Sequence, residues 1–308
     1  YRKAIELKPD FAEVHSNLGV TLFNLGRLKE AEIEYRKAIE LKPDFSIAYS
    51  NLGNVLKDLS KFKEAELYTR KAIELKPDSV DSYFILGYIL KNLGKLKEAE
   101  LSYLKVIALN PNHSKAYFNL GIIFTDLGKL KEAESYYRKA IKLDSNYADA
   151  YFSLSLIELL QGRYKIGLEN YEFRFKKKNP SLTHGNSKLI RLNDQKLKKE
   201  EKLLVISEQG LGDTLQFMRY IPYLRNQGLN ISFCVQEKLH TLIKSSGIDQ
   251  NPLKPEQAET ILDGHWCPLL SLPRYLQIHP NNPIISEPYI YATKELNKKW
   301  QHILSVEN

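Results

Sequence analysis

The amino-acid sequence predicts two architectures in one chain. An α-helical solenoid covers residues 1–176, a basic linker covers 177–201, and an open, mostly parallel α/β unit covers 202–308. Three observations predict this. A helix–turn–helix pattern recurs every 34 residues through the first half. At 202–217 a short apolar run of buried-strand type meets a glycine turn and then a helical apolar pattern. Beyond that corner, strand patterns alternate with helical ones, as in sheets with crossover helices.

The repeats come first in the chain. Asn17-Leu18-Gly19, Asn51-Leu52-Gly53 and Asn119-Leu120-Gly121 stand in step, and Leu86-Gly87 fills the remaining place. Lys29-Glu30-Ala31-Glu32 and its counterparts at 63–66, 97–100 and 131–134 keep the period, as do Pro43, Pro77 and Pro111. The first helix of a unit carries a large ring, then Leu-Gly, then an apolar residue, as in Tyr49, Leu52, Gly53 and Leu56. The second carries Ala65, Tyr68, Ala72 and Ile73. Small residues let two helices approach and large ones fill the space left. Gly26, Gly94 and Gly128 fall where the chain reverses, and the prolines stop the second helix. No unit buries its apolar side alone, so the units stack around a concave face. The last unit departs from the pattern. Ser155 replaces the glycine, and Tyr171, Phe173 and Phe175 read as aromatics docking on the next element or as a ligand-stacking cluster.

Composition sets bounds. Hydrophobic content of 43% and charged content of 27% are ordinary for a globular protein. No apolar run approaches the ~20 residues of a membrane helix, and no leader is read at the start. Cys234 and Cys267 give no disulfide framework and fit a reducing cytoplasm. The seven histidines form no metal-ligand pattern with them, so no metal site is expected. The net charge is +8, and between Lys176 and Glu201 eight Lys or Arg face three acids. That run reads as a solvated linker or as a patch for phosphates. No aromatics interleave it, so nucleic acid is not expected as a partner.

Within the linker, residues 179–187 read as loop, with Asn179-Pro180 and His184-Gly185. After it come a strand at 202–208, a helix at 213–226, a strand at 230–235, a helix from Lys238 to Ser245, and a short strand at 260–262. Open α/β sheets bind ligands at such strand-to-helix corners. Gln209, Gly210, Leu211 and Gly212 form the turn and are the candidate ligand-binding residues. The turn is no dinucleotide fingerprint, because Leu215 stands where the third glycine belongs. Asp213 on the first helical turn is a candidate general base or a helix cap. Glu208 at the strand end is a second candidate base or a turn acceptor. Arg219 and Tyr220 read as helix packing or ligand contacts. Ser271 lacks a nucleophile elbow and is set aside.

The period and the repeated positions resemble the tetratricopeptide repeat. The resemblance puts Asn17, Asn51 and Asn119 toward the groove, as in the asparagine ladder of O-linked N-acetylglucosamine transferases. Ile85 and Ser153 interrupt the ladder here. Side-chain amides in a row can hydrogen-bond the backbone of a protein or peptide segment; the alternative is that they only solvate the helix. The stretch 208–220, with Cys267-Pro268-Leu269-Leu270-Ser271-Leu272-Pro273 and Pro288-Tyr289-Ile290, is similar to bacterial proteins that join such repeats to a glycosyltransferase region like the family-9 heptosyltransferases. This resemblance implies a Rossmann-like half of a two-domain glycosyltransferase, a nucleotide-sugar donor, an acceptor hydroxyl, and Asp213 as base. The alternative is a non-catalytic repeat scaffold. Residues 1–5 match the second helix of a repeat and 296–304 read as a helix leading to a further strand. The donor-binding half is therefore expected beyond this stretch, and no sugar transfer is expected from these 308 residues alone. An open crevice before Glu208 and Asp213 favours the enzyme ancestry; a crevice filled by side chains from the repeats favours the scaffold.

Overall fold

The computed structural model describes residues 1, 10–193, 199–278, 288–291, 294–295, 297–298 and 301, arranged in two compact units, Tyr1–Ala150 and Tyr151–Asn308. The half repeat expected at 2–9 and most of the helix expected at 296–304 lie outside the described residues.

The first unit is a run of helix pairs: α1 (Ala12–Asn24) with α2 (Leu28–Leu41), α3 (Ser46–Asp58) with α4 (Phe62–Leu75), α5 (Val80–Asn92) with α6 (Leu96–Leu109), and α7 (Ser114–Asp126) with α8 (Leu130–Leu143). Ala31, Ala65, Ala99 and Ala133 are fully buried where the helices of each pair meet. The second helices end at Leu41, Leu75 and Leu109, two residues before each proline. The chain reverses through Gly26, Gly94 and Gly128 at φ near +70°, and Ser60 takes the same left-handed conformation in the second repeat at φ 59°.

Close helix approach rests on the glycine of each first helix. A Cβ at Gly121 would lie 2.4 Å from the Tyr137 ring, against 2.7 Å at Gly19 from Tyr35 and 2.8 Å at Gly87 from Tyr103. In the second repeat Thr69 replaces the tyrosine and its Oγ1 would meet the Gly53 Cβ at 2.2 Å. Gly121→Ala is therefore expected to cost about 1–3 kcal/mol through overpacking against a ring that cannot rotate away. Thermal unfolding followed by circular dichroism measures this; an unchanged midpoint would mean the ring has room to move.

Ion pairs tie neighbouring repeats along the second helices. Arg36 holds Glu32 and reaches Glu64 of the next repeat, while Lys61 returns to Glu32 at 2.9 Å. Arg70 repeats the pattern with Glu66 and Glu98, and Lys95 with Glu66 at 2.8 Å. Burial raises the Glu32 carboxyl pKa, but the hydrogen bonds from Arg36 and Lys61 outweigh it and leave a net lowering. Leu104 occupies the equivalent of Arg36 and Arg70, so at the third joint that link is not made.

The second unit takes in most of α9 (Ala148–Leu160) and all of α10 (Tyr164–Tyr171). The compact-unit boundary thus falls earlier than the 176 read from the sequence, because α10 packs with the α/β elements. Four parallel strands form its sheet: β1 (Ile190–Arg191), β2 (Lys202–Ile206), β3 (Asn230–Cys234) and β4 (His265–Pro268), in the order β1-β4-β2-β3. Leu203, Val205, Phe233 and Cys267 bury one face under helices. Leu204, Ile206 and Cys234 bury the other beside Ala258 and Trp266.

Three expectations are corrected here. The basic linker, read without a strand, carries an edge strand, β1, just past the loop read at 179–187. The helix expected at 213–226 is two, α11 (Leu211–Phe217) and α12 (Tyr220–Asn226). Pro222 has no N–H for the Met218 carbonyl and its ring clashes there, so the helix breaks. The strand expected at 260–262 is absent: 255–260 is a 3-10 turn, and the sheet is joined instead by β4 at 265–268. Gly264 makes that entry possible at φ 103°, where a Cβ would meet the Lys202 carbonyl oxygen at 2.2 Å.

Candidate functional site

Two places meet the sequence expectations, one in each unit. The first lies between the first helices of successive repeats. Asn17 is exposed, and Asn51 and Asn119 are half-buried, at one register on α1, α3 and α7. Asn51 lines a groove of about 480 Å³ between α3 and α5, with Ile47, Ser50, Asn54, Asp81 and Ile85 among its walls. The side-chain amides of Asn51 and Asn54 have no partner among the described residues. The Asn119 amide donates to the Lys115 carbonyl at 2.9 Å, which leaves its oxygen free as an acceptor.

The second is the corner after β2. Here the sheet switches direction: β3 lies on one side of β2 and β4 on the other, both parallel to it. The crevice outside the carboxyl ends of such strands is where open α/β sheets take ligands. Gln209 turns the chain at φ 61°, and its amide donates to the Tyr171 hydroxyl at 3.2 Å. Gly210 precedes α11, Leu211 is exposed, and around Gly212 a Cβ would meet open space. The helix cap expected at Asp213 is shifted by three residues. Gly210 is the N-cap, and Asp213 reaches back so that its Oδ2 accepts from the Gly210 N–H at 3.1 Å.

Glu208 differs from expectation. It is fully buried, and both oxygens are engaged. Arg174 donates to Oε1 through Nη2 at 2.8 Å and to Oε2 through Nε at 3.0 Å. The Leu270 N–H donates to Oε1 at 3.2 Å. Arg174 is fully buried too, with Nη2 also on Ser271 Oγ and Nη1 on Glu172 Oε1, each at 2.8 Å. Rings of Tyr171 and Phe175 flank its guanidinium at 4.4 and 4.2 Å. Ser271 donates onward to Glu172, and Arg191 pairs with the other Glu172 oxygen. A carboxylate held this way is a structural anchor with no oxygen turned to an open crevice, which corrects the base role expected for Glu208. The crevice before it is filled by Arg174, a side chain of the helical turn at 172–175.

The docking aromatics separate in function. Tyr171 packs on the sheet's helical core, and Phe173 stacks on Tyr151 at 3.9 Å between centroids. Tyr220 is buried in the same core, and Arg219 donates to the Gln216 carbonyl and to the Tyr289 hydroxyl.

Sequence reasoning missed Arg174 and a polar relay beside the glycine turn. His184 Nδ1 lies 3.1 Å from Ser207 Oγ, and its Nε2 lies 3.3 Å from the Gln236 amide nitrogen. Thr214 Oγ1 donates to Gln236 Oε1 at 3.0 Å. These residues close the corner from three segments, and no spacing in the sequence links them.

Comparison with known proteins bears on the first unit. Family models for the tetratricopeptide repeat match residues 12–45, 46–79, 80–113 and 114–147. Residues 12–147 are tetratricopeptide repeats. Solved structures similar to the chain include YrrB, described as a TPR protein with an unusual peptide-binding site. It is 28% identical over 56% of this chain and 89% of its own, with a TM-score of 0.47. The Pseudomonas aeruginosa protein pilF is 22% identical over 53% of this chain and 74% of its own, at a TM-score of 0.50. A thermophilic TPR protein of Thermus thermophilus is 20% identical over 55% of this chain and 92% of its own, at 0.46. No curated protein matches the chain. The family models cover residues 12–147, and the second unit has a small parallel sheet. Among the described residues no helix is long and apolar enough to cross a membrane.

Proposed function

We propose that this protein is a repeat module that holds an extended segment of a partner protein in the groove of its tetratricopeptide units. The observation that carries this reading is the register of Asn17, Asn51 and Asn119, with Asn51 on the wall of the groove between α3 and α5. Amides at one-repeat intervals can bond successive stretches of an extended backbone without reading its side chains. The test uses peptides selected from a random phage-displayed library, with affinity read by fluorescence anisotropy. Replacing all three asparagines by Ala removes bonds worth about 0.5–1.5 kcal/mol each, so affinity is expected to fall roughly tenfold or more. Helical content by circular dichroism should stay unchanged. Equal affinity of the triple variant would refute the ladder.

A second reading is favoured by the topology of the corner after β2. A switch point between parallel strands, an open glycine turn and the half-buried Asp213 carboxylate at its mouth support an acceptor site of a glycosyltransferase-like unit. In it Asp213 takes the proton of the acceptor hydroxyl, and the sugar comes from a nucleotide-sugar. The burial of Glu208 under Arg174 supports the scaffold alternative instead, and leaves Asp213 as the one carboxylate proposed for chemistry.

A further inference from the structure

We infer that Ile85, which breaks the asparagine register, makes a specificity pocket that takes one large apolar side chain of the bound segment and so fixes its register. The inference rests on the groove reading above. Three repeats carry Asn at this place on the first helix and the third carries Ile85. Its side chain, half-buried, lines the same groove of about 480 Å³ as Ile47, which is 56% exposed, and Phe84.

The serine hydroxyls beside this apolar wall are engaged with one another. The Ser82 hydroxyl donates to Ser50 Oγ at 3.0 Å, and Ser79 Oγ lies 2.8 Å from Ser82 Oγ while accepting from the Ser82 N–H. A polar side chain entering here would exchange water for spent hydroxyls, whereas an apolar one removes Ile47, Ile85 and its own surface from water. Asn51 and Asn54 stand beside the pocket with unpartnered amides, suited to the backbone on either side of the guest.

Charge completes the description of the partner. Asp81 and Lys76 line the same groove; neither makes a salt bridge among the described residues, and the charge of Asp81 is felt by His113. A segment with a basic residue on one side of its apolar residue and an acidic one on the other answers both. The occupant is thus an extended, mixed-charge peptide with a single large aliphatic or aromatic anchor. A membrane surface or a nucleic acid does not offer that combination.

The experiment is selection from a random phage-displayed peptide library on the full chain. Selected peptides should share one large apolar residue at a fixed place, with tolerant neighbours. Replacing that residue by Ser in a synthetic peptide should weaken binding by roughly ten- to a hundredfold, the effect of burying one such side chain. Ile85→Asn completes the ladder with the residue three other repeats already hold, and Ile47→Ser changes an exposed position. Both should fold, bind the selected anchored peptides more weakly by up to the same ten- to hundredfold, and bind the Ser-substituted peptide about as the parent protein does. Selected peptides without a shared apolar place, or a preference unchanged in both variants, would overturn the pocket while leaving the groove reading standing. Failure to select any peptide would overturn both.

Discussion

Arg174→Met is expected to destabilise the second unit by about 3–5 kcal/mol, the cost of stripping a buried carboxylate of its partner. Glu208 would be left fully buried with only the Leu270 N–H, while Ser271 and Glu172 would each lose a donor. Methionine fills much of the arginine's volume, so the loss comes from charge and hydrogen bonding more than from a cavity. Trp266 lies in this unit and residues 1–150 hold no tryptophan, so urea unfolding followed by tryptophan fluorescence reads the second unit. The double change Arg174→Met with Glu208→Leu should recover most of the loss, because an ion pair replaced by apolar groups of similar size is close to neutral. Arg191 still holds Glu172 in that variant. A single change costing under about 1 kcal/mol would mean that water reaches the Glu208 carboxylate.

Asp213→Asn separates the two uses of that side chain. The amide oxygen of Asn can still accept from the Gly210 N–H, so the turn and its stability should survive. A base is lost, and turnover should fall roughly 10²–10⁴-fold if the carboxylate takes the acceptor's proton. On the proposed transferase reading, the readout is release of nucleoside diphosphate from a panel of nucleotide-sugars, wild type against variant. Full turnover in the variant would show that Asp213 only ties its own helix. Asp213→Ala gives the complementary number, a stability loss of about 0.5–1.5 kcal/mol for the lost hydrogen bond to the Gly210 N–H, with no chemistry required.

How much of this was legible in the sequence depended on the range of the forces involved. The repeats were, because a helix pair is set by contacts within 34 residues, and Gly121 and Tyr137 meet inside one such unit. The order of strands and helices around β2 was also legible, since buried strands and a glycine turn are local patterns. The break at Pro222 was a local signal left unweighed. The entry of β4 depended on Gly264 passing under Lys202, a contact between segments far apart in the chain. The same holds at the corner. Glu208 looked available because nothing nearby in sequence pairs with it; its partner Arg174 is 34 residues away, and their shared neighbour Ser271 is 97 residues from Arg174. An arginine between aromatics on a terminal helical turn reads as surface until those segments fold together.

The missing arginine at Leu104 has a mechanical meaning. Two successive joints of the repeat array are cross-braced by charge, and the third is not. Each brace is worth at most about 1 kcal/mol, so the array barely gains in overall stability. A brace nevertheless resists shear between adjacent helix pairs, and its absence concentrates bending at one place. Among the described joints of these four repeats, the one between the third and fourth lacks the brace and is expected to shear more easily. On the proposed reading, a guest seated between α3 and α5 spans a braced joint, and its far end toward Asn119 crosses the unbraced one. Added salt screens the braces and evens out the difference.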